Sequence, residues 1–271
     1  MTNNNKVWLI TTKTNLHVGN ENSSSYGLID KSVQRDVLTG LPCINGSSLK
    51  GALNEFFAVK KGKDESFLKK VFGADKKGRV TDTEKGACSF FDAQLLSIPV
   101  QSNNRLFYRA TSPGVLNNFV DRLGLFGISY KRFDIDAPPS TPLVLTEEGT
   151  KLGDYSARKV ENNEIWESIS KLLVGDKKMS VGNDISLFND QDFKELCDDN
   201  NLPIIARNKL ENGESVNLWY EQLIPQEAIF YSLFVSSSND ITTAELEGEI
   251  VQIGANATIG FGYCKFKLLD I

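Results

Sequence analysis

Residues 41–57, LPCINGSSLKGALNEFF, decide the fold class, because a nucleotide-binding loop and an ordinary amphipathic helix compete for them. Leu49, Leu53, Phe56 and Phe57 fall at i, i+4, i+7 and i+8, one face of a 3.6-residue period, so the spacing predicts a helix. Ser47 or Ser48 is its expected N-cap, and Pro42 with Gly46 forms the entering loop. A P-loop needs G-x-x-x-x-G-K-[ST], with lysine after the last glycine; here Lys50 precedes Gly51 and the match fails. Lys50 then lies near the positive end of the helix dipole, and Gly51 costs about 0.5–1 kcal/mol relative to alanine. A bound anion would explain both residues, and a solvated lysine on a surface helix is the plain alternative. Near the other end, IGANATIGFGYCKF puts Gly254, Gly260 and Gly262 between a helix and a strand, which is not the G-x-G-x-x-G of a dinucleotide fold. Two such segments at helix–strand boundaries suggest a surface on which a phosphate backbone lies.

Composition narrows the setting. The chain has 271 residues, within reach of one core with insertions or of two small ones. No apolar run approaches the roughly eighteen residues of a membrane span, and MTNNNKVWLITTK lacks the pattern of a signal peptide, so a soluble, cytoplasmic protein is expected. Four scattered cysteines and one histidine support neither a disulfide framework nor a zinc site. The net charge of −5 argues against a grip on nucleic acid through bulk charge alone but leaves room for a local basic groove.

Outward from the opening helix, KVWLITTKTNLHVG reads as a strand with Val7, Leu9 and Thr11 on one face and Trp8 and Ile10 on the other, and ends in the polar loop GNENSSSYG; Asp30 to Leu38 forms a short irregular or extended piece. Residues 60–85 are lysine-rich around a short FLKKVFG helix, a solvated insertion or a phosphate-facing edge. ACSFFDAQLLSIPV is expected as one buried strand and LFYRAT as a second. Ser112 then caps a helix with Pro113 at its first position and Leu116, Phe119, Val120 and Leu123 inward. Residues 127–160 are irregular, with Pro138, Pro139 and Pro142 as breakers, followed by two short helices around Ile165–Leu172 and in NDQDFKELCDDN. Asn212-Gly213 between extended runs predicts a β-hairpin, and EAIFYSLFVSS a strand. TAELEGEIVQIG is expected as a helix with Leu246, Ile250 and Ile253 on one side, before a last strand, YCKFKLLDI. This order suits an α+β fold, a ferredoxin-like βαββαβ core of antiparallel strands with helices on one face.

Taken together, LHVG, YGLIDKSVQRD, LPCINGSSLKGALNEFF, FFDAQLLSIPV with RATSPGVL, LWYEQLIP and IGANATIGFG resemble the RAMP superfamily, and within it the repeated backbone subunits of type III-B (Cmr) CRISPR effectors. The resemblance runs across most of the chain; Asn45 stands where the family often has proline, and NATIGFG departs from its usual terminal loop. It implies one ferredoxin-like or RRM-like palm over residues 1–271, with helical insertions at about 60–85 and 127–200 and a thumb hairpin at about 202–224. It further implies copies stacked on a CRISPR RNA with other Cmr subunits, cutting paired target RNA at regular intervals in antiviral defence. Base pairing then reads the sequence while the protein holds backbone.

On that resemblance Asp30 matches the catalytic aspartate, able to orient or deprotonate an attacking 2′-hydroxyl or to recruit a divalent cation such as Mg or Mn, with Asp36 and Asp92 the competing carboxylates. His17 assists proton transfer, contacts RNA or is structural; Tyr220 and Glu221 correspond to a stretch near the cleavage point. Arg35 holds its loop or a phosphate. Ser47, Ser48, Lys50, Gly51, Gly254, Gly260 and Gly262 form the expected guide-binding set, and Arg207 and Lys209 on the hairpin could meet RNA. Two alternatives stand beside this: an inactive guide-binding subunit, and a guide-processing endoribonuclease of the same superfamily.

Overall fold

The computed structural model describes residues 4–19, 29–75, 83–175, 184–236 and 243–270. The serine-rich stretch before Ile29 and most of the lysine-rich stretch after Asp75 lie outside them. In chain order the principal elements are β1 (Asn4–Thr12), α1 (Gly46–Lys60), α2 (Glu65–Phe72), β2 (Cys88–Phe90), β3 (Ala93–Val100), β4 (Tyr108–Thr111) and α3 (Pro113–Leu125). There follow α4 (Glu164–Val174), β5 (Ile185–Leu187), α5 (Asp190–Leu196), β6 (Ile204–Glu211), β7 (Glu214–Gln222), β8 (Ile229–Ser236), β9 (Ile250–Gln252) and β10 (Tyr263–Leu268).

The centre is a four-strand antiparallel unit in the order β10-β1-β8-β3, with β9 at the outer edge beyond β10. In β1 the run Val7, Trp8, Leu9, Ile10 is buried on both faces. Trp8 pairs with Ser232, and Leu9 with Tyr231, so the two faces can be followed across the sheet. On one face Trp8 meets Phe234 and Phe266, and a chain of rings runs from Phe234 through Phe90 and Phe72 to Phe57 of α1. On the other, Tyr231 takes an edge contact from Phe119 of α3 at 4.9 Å. Helices therefore cover both faces, not one as the element order suggested; a strand apolar on both sides needs two covering layers.

The sheet continues from β3 through β4, which is antiparallel to it, to β5, which is parallel to β4, and on to Leu143–Val144 and Arg158–Lys159. The stretch expected as a helical insertion at 127–200 thus adds strands to the main sheet. It also supplies α4 and α5, each capped by an asparagine, Asn163 and Asn189, that accepts two backbone N–H bonds. Ser112 caps α3 as its sequence predicts, accepting from the Val115 N–H.

Three local expectations change. The capping group of α1 is not Ser47 or Ser48: Asn45 is the N-cap residue but its side chain makes no capping bond, both serines lie in the first turn, and Asp92 Oδ1 accepts the Gly46 N–H at 2.7 Å. Gly46 is required there, since a Cβ would lie 2.5 Å from the Phe90 carbonyl oxygen. ACSFFDAQLLSIPV is two strands, β2 and β3, broken at Phe91-Asp92. Phe91 still donates to Leu233 O, and the break aims Asp92 at the helix start. TAELEGEIVQIG is helical only over Thr243–Leu246; Gly248, at φ 77°, ends it, and Ile250 sits half exposed on the edge strand β9. α1 buries Leu49, Leu53 and Phe57, roughly 1.5–3 kcal/mol each, which outweighs the glycine and lysine penalties of its first turns.

Candidate functional site

Asn212 and Gly213, at φ 52° and 87°, make the tight turn of the β6–β7 hairpin as the dipeptide predicts. At the base of this hairpin the segment after Ile29 runs alongside β7. Asp30 and Lys31 both donate their backbone N–H to Tyr220 O at 3.1 Å, and Gln222 N–H returns a bond to Lys31 O at 2.9 Å. The Tyr220 N–H in turn donates to Asp30 Oδ2 at 2.7 Å. Asp30 is thus exposed yet held by both backbone and side chain, beside the exposed ring of Tyr220.

Beneath them, Glu221 is buried and accepts from three donors: Trp219 Nε1 at 2.6 Å, Asn256 Nδ2 at 2.7 Å and Lys31 Nζ at 3.1 Å. Burial by itself would raise its pKa, but these bonds, with the charge of nearby His17, hold it below the ordinary glutamate value. Lys31 Nζ also stands 5.1 Å over the Trp219 ring. His17 is buried with Nδ1 2.7 Å from Gln222 O; a carbonyl only accepts, so Nδ1 carries the proton. The fully buried Gln222 accepts the Val33 N–H and donates to Asp199. Asp199 is in turn ion-paired with Arg35, whose guanidinium also donates to Gly40 O. Arg35 therefore holds its own loop.

The two glycine-bearing segments come together around this base. Gln34 donates to Gly19 O and to Ser48 Oγ, and accepts the Asn45 N–H, lacing the start of α1 to the His17 segment. Ala255 N–H bonds His17 O at 2.9 Å, and Gly262 N–H bonds Asn15 O at 2.8 Å. Gly254 (φ 78°) and Gly262 (φ 79°) are glycines for reasons of fold: a Cβ would collide with His17 O and with Ile253 O. Gly260 (φ 84°) and Gly51 face open space. Ser48, Ala52 and Phe56 of α1 face Gln252, Gly254 and Tyr263 across a groove of about 710 Å³. Ser47 and Lys50 are exposed at the helix start. On the hairpin, Lys209 is exposed and paired with Glu211, while Arg207 lies opposite Trp219.

The competing carboxylates have structural partners. Asp36 accepts from the Leu38 and Thr39 N–H groups and the Thr39 hydroxyl, which, against its partial burial and with Arg122 nearby, keep its pKa low. Asp92 caps α1. Among the described residues no three His, Cys, Asp or Glu side chains converge as a metal cage. All four cysteines are buried free thiols, and burial pushes Cys197 up to about 12. Among the described residues no helix is long and apolar enough to cross a membrane. Lys31, Gln34, Gln222 and Asn256 were not singled out by sequence. Only the position of Lys31 beside Asp30, and of Asn256 inside the glycine loop, could have pointed to them.

The comparisons agree in direction. The sequence model of the RAMP superfamily matches residues 9–265. The chain is 30% identical to the CRISPR system Cmr endoribonuclease Cmr4 of Pyrococcus furiosus, over 96% of this chain and 94% of that protein. It is similar to the crystal structure of oligomeric Cmr4 from the same organism, at 27% identity, with a TM-score of 0.72 and 98% of both chains covered. A chain of the type III-B Cmr-beta complex bound to cognate target RNA shares the fold at 22% identity, with a TM-score of 0.76, 97% of this chain and 96% of that one being covered. The chain belongs to the RAMP superfamily, and within it to the Cmr4 family.

Proposed function

We propose that this chain is the guide-binding backbone subunit of a type III-B CRISPR effector, stacking in copies along a CRISPR RNA with other Cmr subunits and cutting the paired target RNA in the cytoplasm. The observation that carries the reading is Asp30: an exposed carboxylate fixed to the hairpin through Tyr220, while Asp36 and Asp92 are consumed by a turn and a helix cap. We read the β10-β1-β8-β3 unit as a ferredoxin-like palm, with Ile204–Gln222 as its thumb. Lineage supports this, since the related Pyrococcus furiosus protein is named an endoribonuclease.

In this reading Ser47, Lys50 and Gly51 meet guide phosphates at the exposed start of α1. The groove beside them, bounded by Ser48 and Gly254, keeps the glycine loop against the same strand, with Gly260 on its open side. Arg207 and Lys209 extend the contact along the hairpin. Asp30 accepts the proton of a target 2′-hydroxyl as that oxygen bonds to the adjacent phosphorus. The bond from phosphorus to the 5′-oxygen breaks, and that oxygen takes a proton from solvent, leaving a cyclic phosphate and a 5′-hydroxyl. Tyr220, exposed beside Asp30, orients the strand; His17 and Glu221 are buried and support the site from beneath. Among the described residues no three His, Cys, Asp or Glu side chains converge, so the residues present do not fit a resident metal site. Dependence on Mg or Mn is a separate part of the proposal, tested by chelation.

The test is an Asp30→Ala chain assembled with guide and partners. Complementary RNA should still bind, and regularly spaced cuts should vanish. Cutting at the unmodified rate would remove Asp30 from the chemistry. Cleavage of guide-precursor repeats by the isolated chain would favour the guide-processing alternative.

A further inference from the structure

We propose that Asn256 and Lys31 are positioning residues that act through buried Glu221, coupling the glycine loop to the cutting carboxylate. This rests on the reading of Asp30 as that carboxylate. Among the described residues, the Glu221 carboxylate gathers bonds from all three segments that form the site. Trp219 donates from the hairpin, Lys31 from the residue next to Asp30, and Asn256 from the loop. The side chain of Glu221 is only 3% exposed, so water does not readily replace a donor that moves away.

Each end of the link is mechanically tied. Lys31 is held through its own N–H and C=O to Tyr220 and Gln222, and the neighbouring Asp30 hangs on the same Tyr220 carbonyl, so the seat of Lys31 on β7 is also the seat of Asp30. Asn256 sits at φ 67°, a conformation asparagine tolerates, and its carbonyl accepts from Ile259 and Phe261, which fixes the turn of the loop. A loop seated correctly completes the set of donors on Glu221, and a displaced loop leaves a buried carboxylate short of one. The consequence is that occupancy of the guide-facing loop is felt at Asp30 without Asn256 touching the reacting atoms.

The experiment uses the guide-loaded assembled complex. Asn256→Gly keeps the positive φ and the backbone bonds while deleting the donor; Lys31→Gln is the second variant, at the other end of the link. Single-turnover cutting of paired RNA is expected to fall about tenfold in each. Affinity for a target with a 2′-deoxy sugar at the cut is expected to stay within about twofold. In a Glu221→Gln background, Asn256→Gly should cost less than about twofold more, because both changes remove one interaction. Unchanged cutting by both variants, full multiplication of the two effects, or loss of affinity in proportion to rate would each overturn the coupling. Asp30→Ala in parallel separates the failures: if it still cuts, the parent reading falls. If it is inert while both variants cut normally, the coupling alone falls.

Discussion

Replacing Gly254 and Gly260 separately by alanine sets two left-handed glycines of one loop against each other. Gly254 is at φ 78° and Gly260 at φ 84°, so each substitution incurs about 1–2 kcal/mol of backbone strain. At Gly260 nothing lies within 4 Å of the new methyl, and the cost should stop there. At Gly254 the methyl collides with His17 O and lies 3.0 Å from Val18 Cγ1. Relief requires the loop to lift from β1's exit segment and give up the Ala255-to-His17 hydrogen bond, worth about 0.5–1.5 kcal/mol, with repacking costs of similar size. Gly254→Ala should therefore cost about 2–5 kcal/mol in all. At about 2–4 °C per kcal/mol for a chain of this size, its melting midpoint should fall by roughly 4–20 °C, several degrees more than that of Gly260→Ala. Thermal unfolding of the purified variants, followed by circular dichroism, measures the difference. Equal midpoints would refute the packing of Gly254 on His17.

Lys50→Ala should weaken guide RNA binding and flatten its dependence on the logarithm of salt concentration by about 0.7, the loss of one single-strand phosphate contact, read from filter binding at several salt concentrations. Asp92→Ala removes the acceptor at the start of α1 and should cost about 0.5–2 kcal/mol in denaturant unfolding, whereas Ser47→Ala should be nearly silent because Ser47 caps nothing.

Local chemistry was legible in the sequence wherever partners are neighbours in the chain. Ser112-Pro113 announces α3, and Asn212-Gly213 announces the hairpin, because each acts on backbone within a few residues. The cap of α1 was not legible, since its acceptor arrives from Asp92, 46 residues on, through a break in a strand. Leu246, Ile250 and Ile253 mimic a helical stripe, but Gly248 and pairing to β10 make the second half extended. The run Val7–Ile10 did hold the sign of two covering layers, for it lacks the polar alternation of a one-sided strand. In the site, Asp30, His17, Tyr220 and Glu221 converge, and residues of both glycine-bearing segments border the shared groove. The Lys31–Glu221–Asn256 link joins positions remote in sequence, and no spacing rule reaches across that distance.

The placement of β1 bears on how the chain is made. Both of its partners, β8 and β10, lie far downstream in the sequence, so during synthesis β1 waits for its ladder partners until Ile229 and beyond have emerged. At about 5–20 residues per second that is a wait of roughly 10–40 s with Val7, Trp8, Leu9 and Ile10 uncovered. Meanwhile β3, β4 and α3, close in sequence and in contact, have all they need to form first. The nascent chain is thus most open to chaperone capture, or to mispairing with a sister chain on the same message, through the edges of a strand that ends at the centre of the finished sheet.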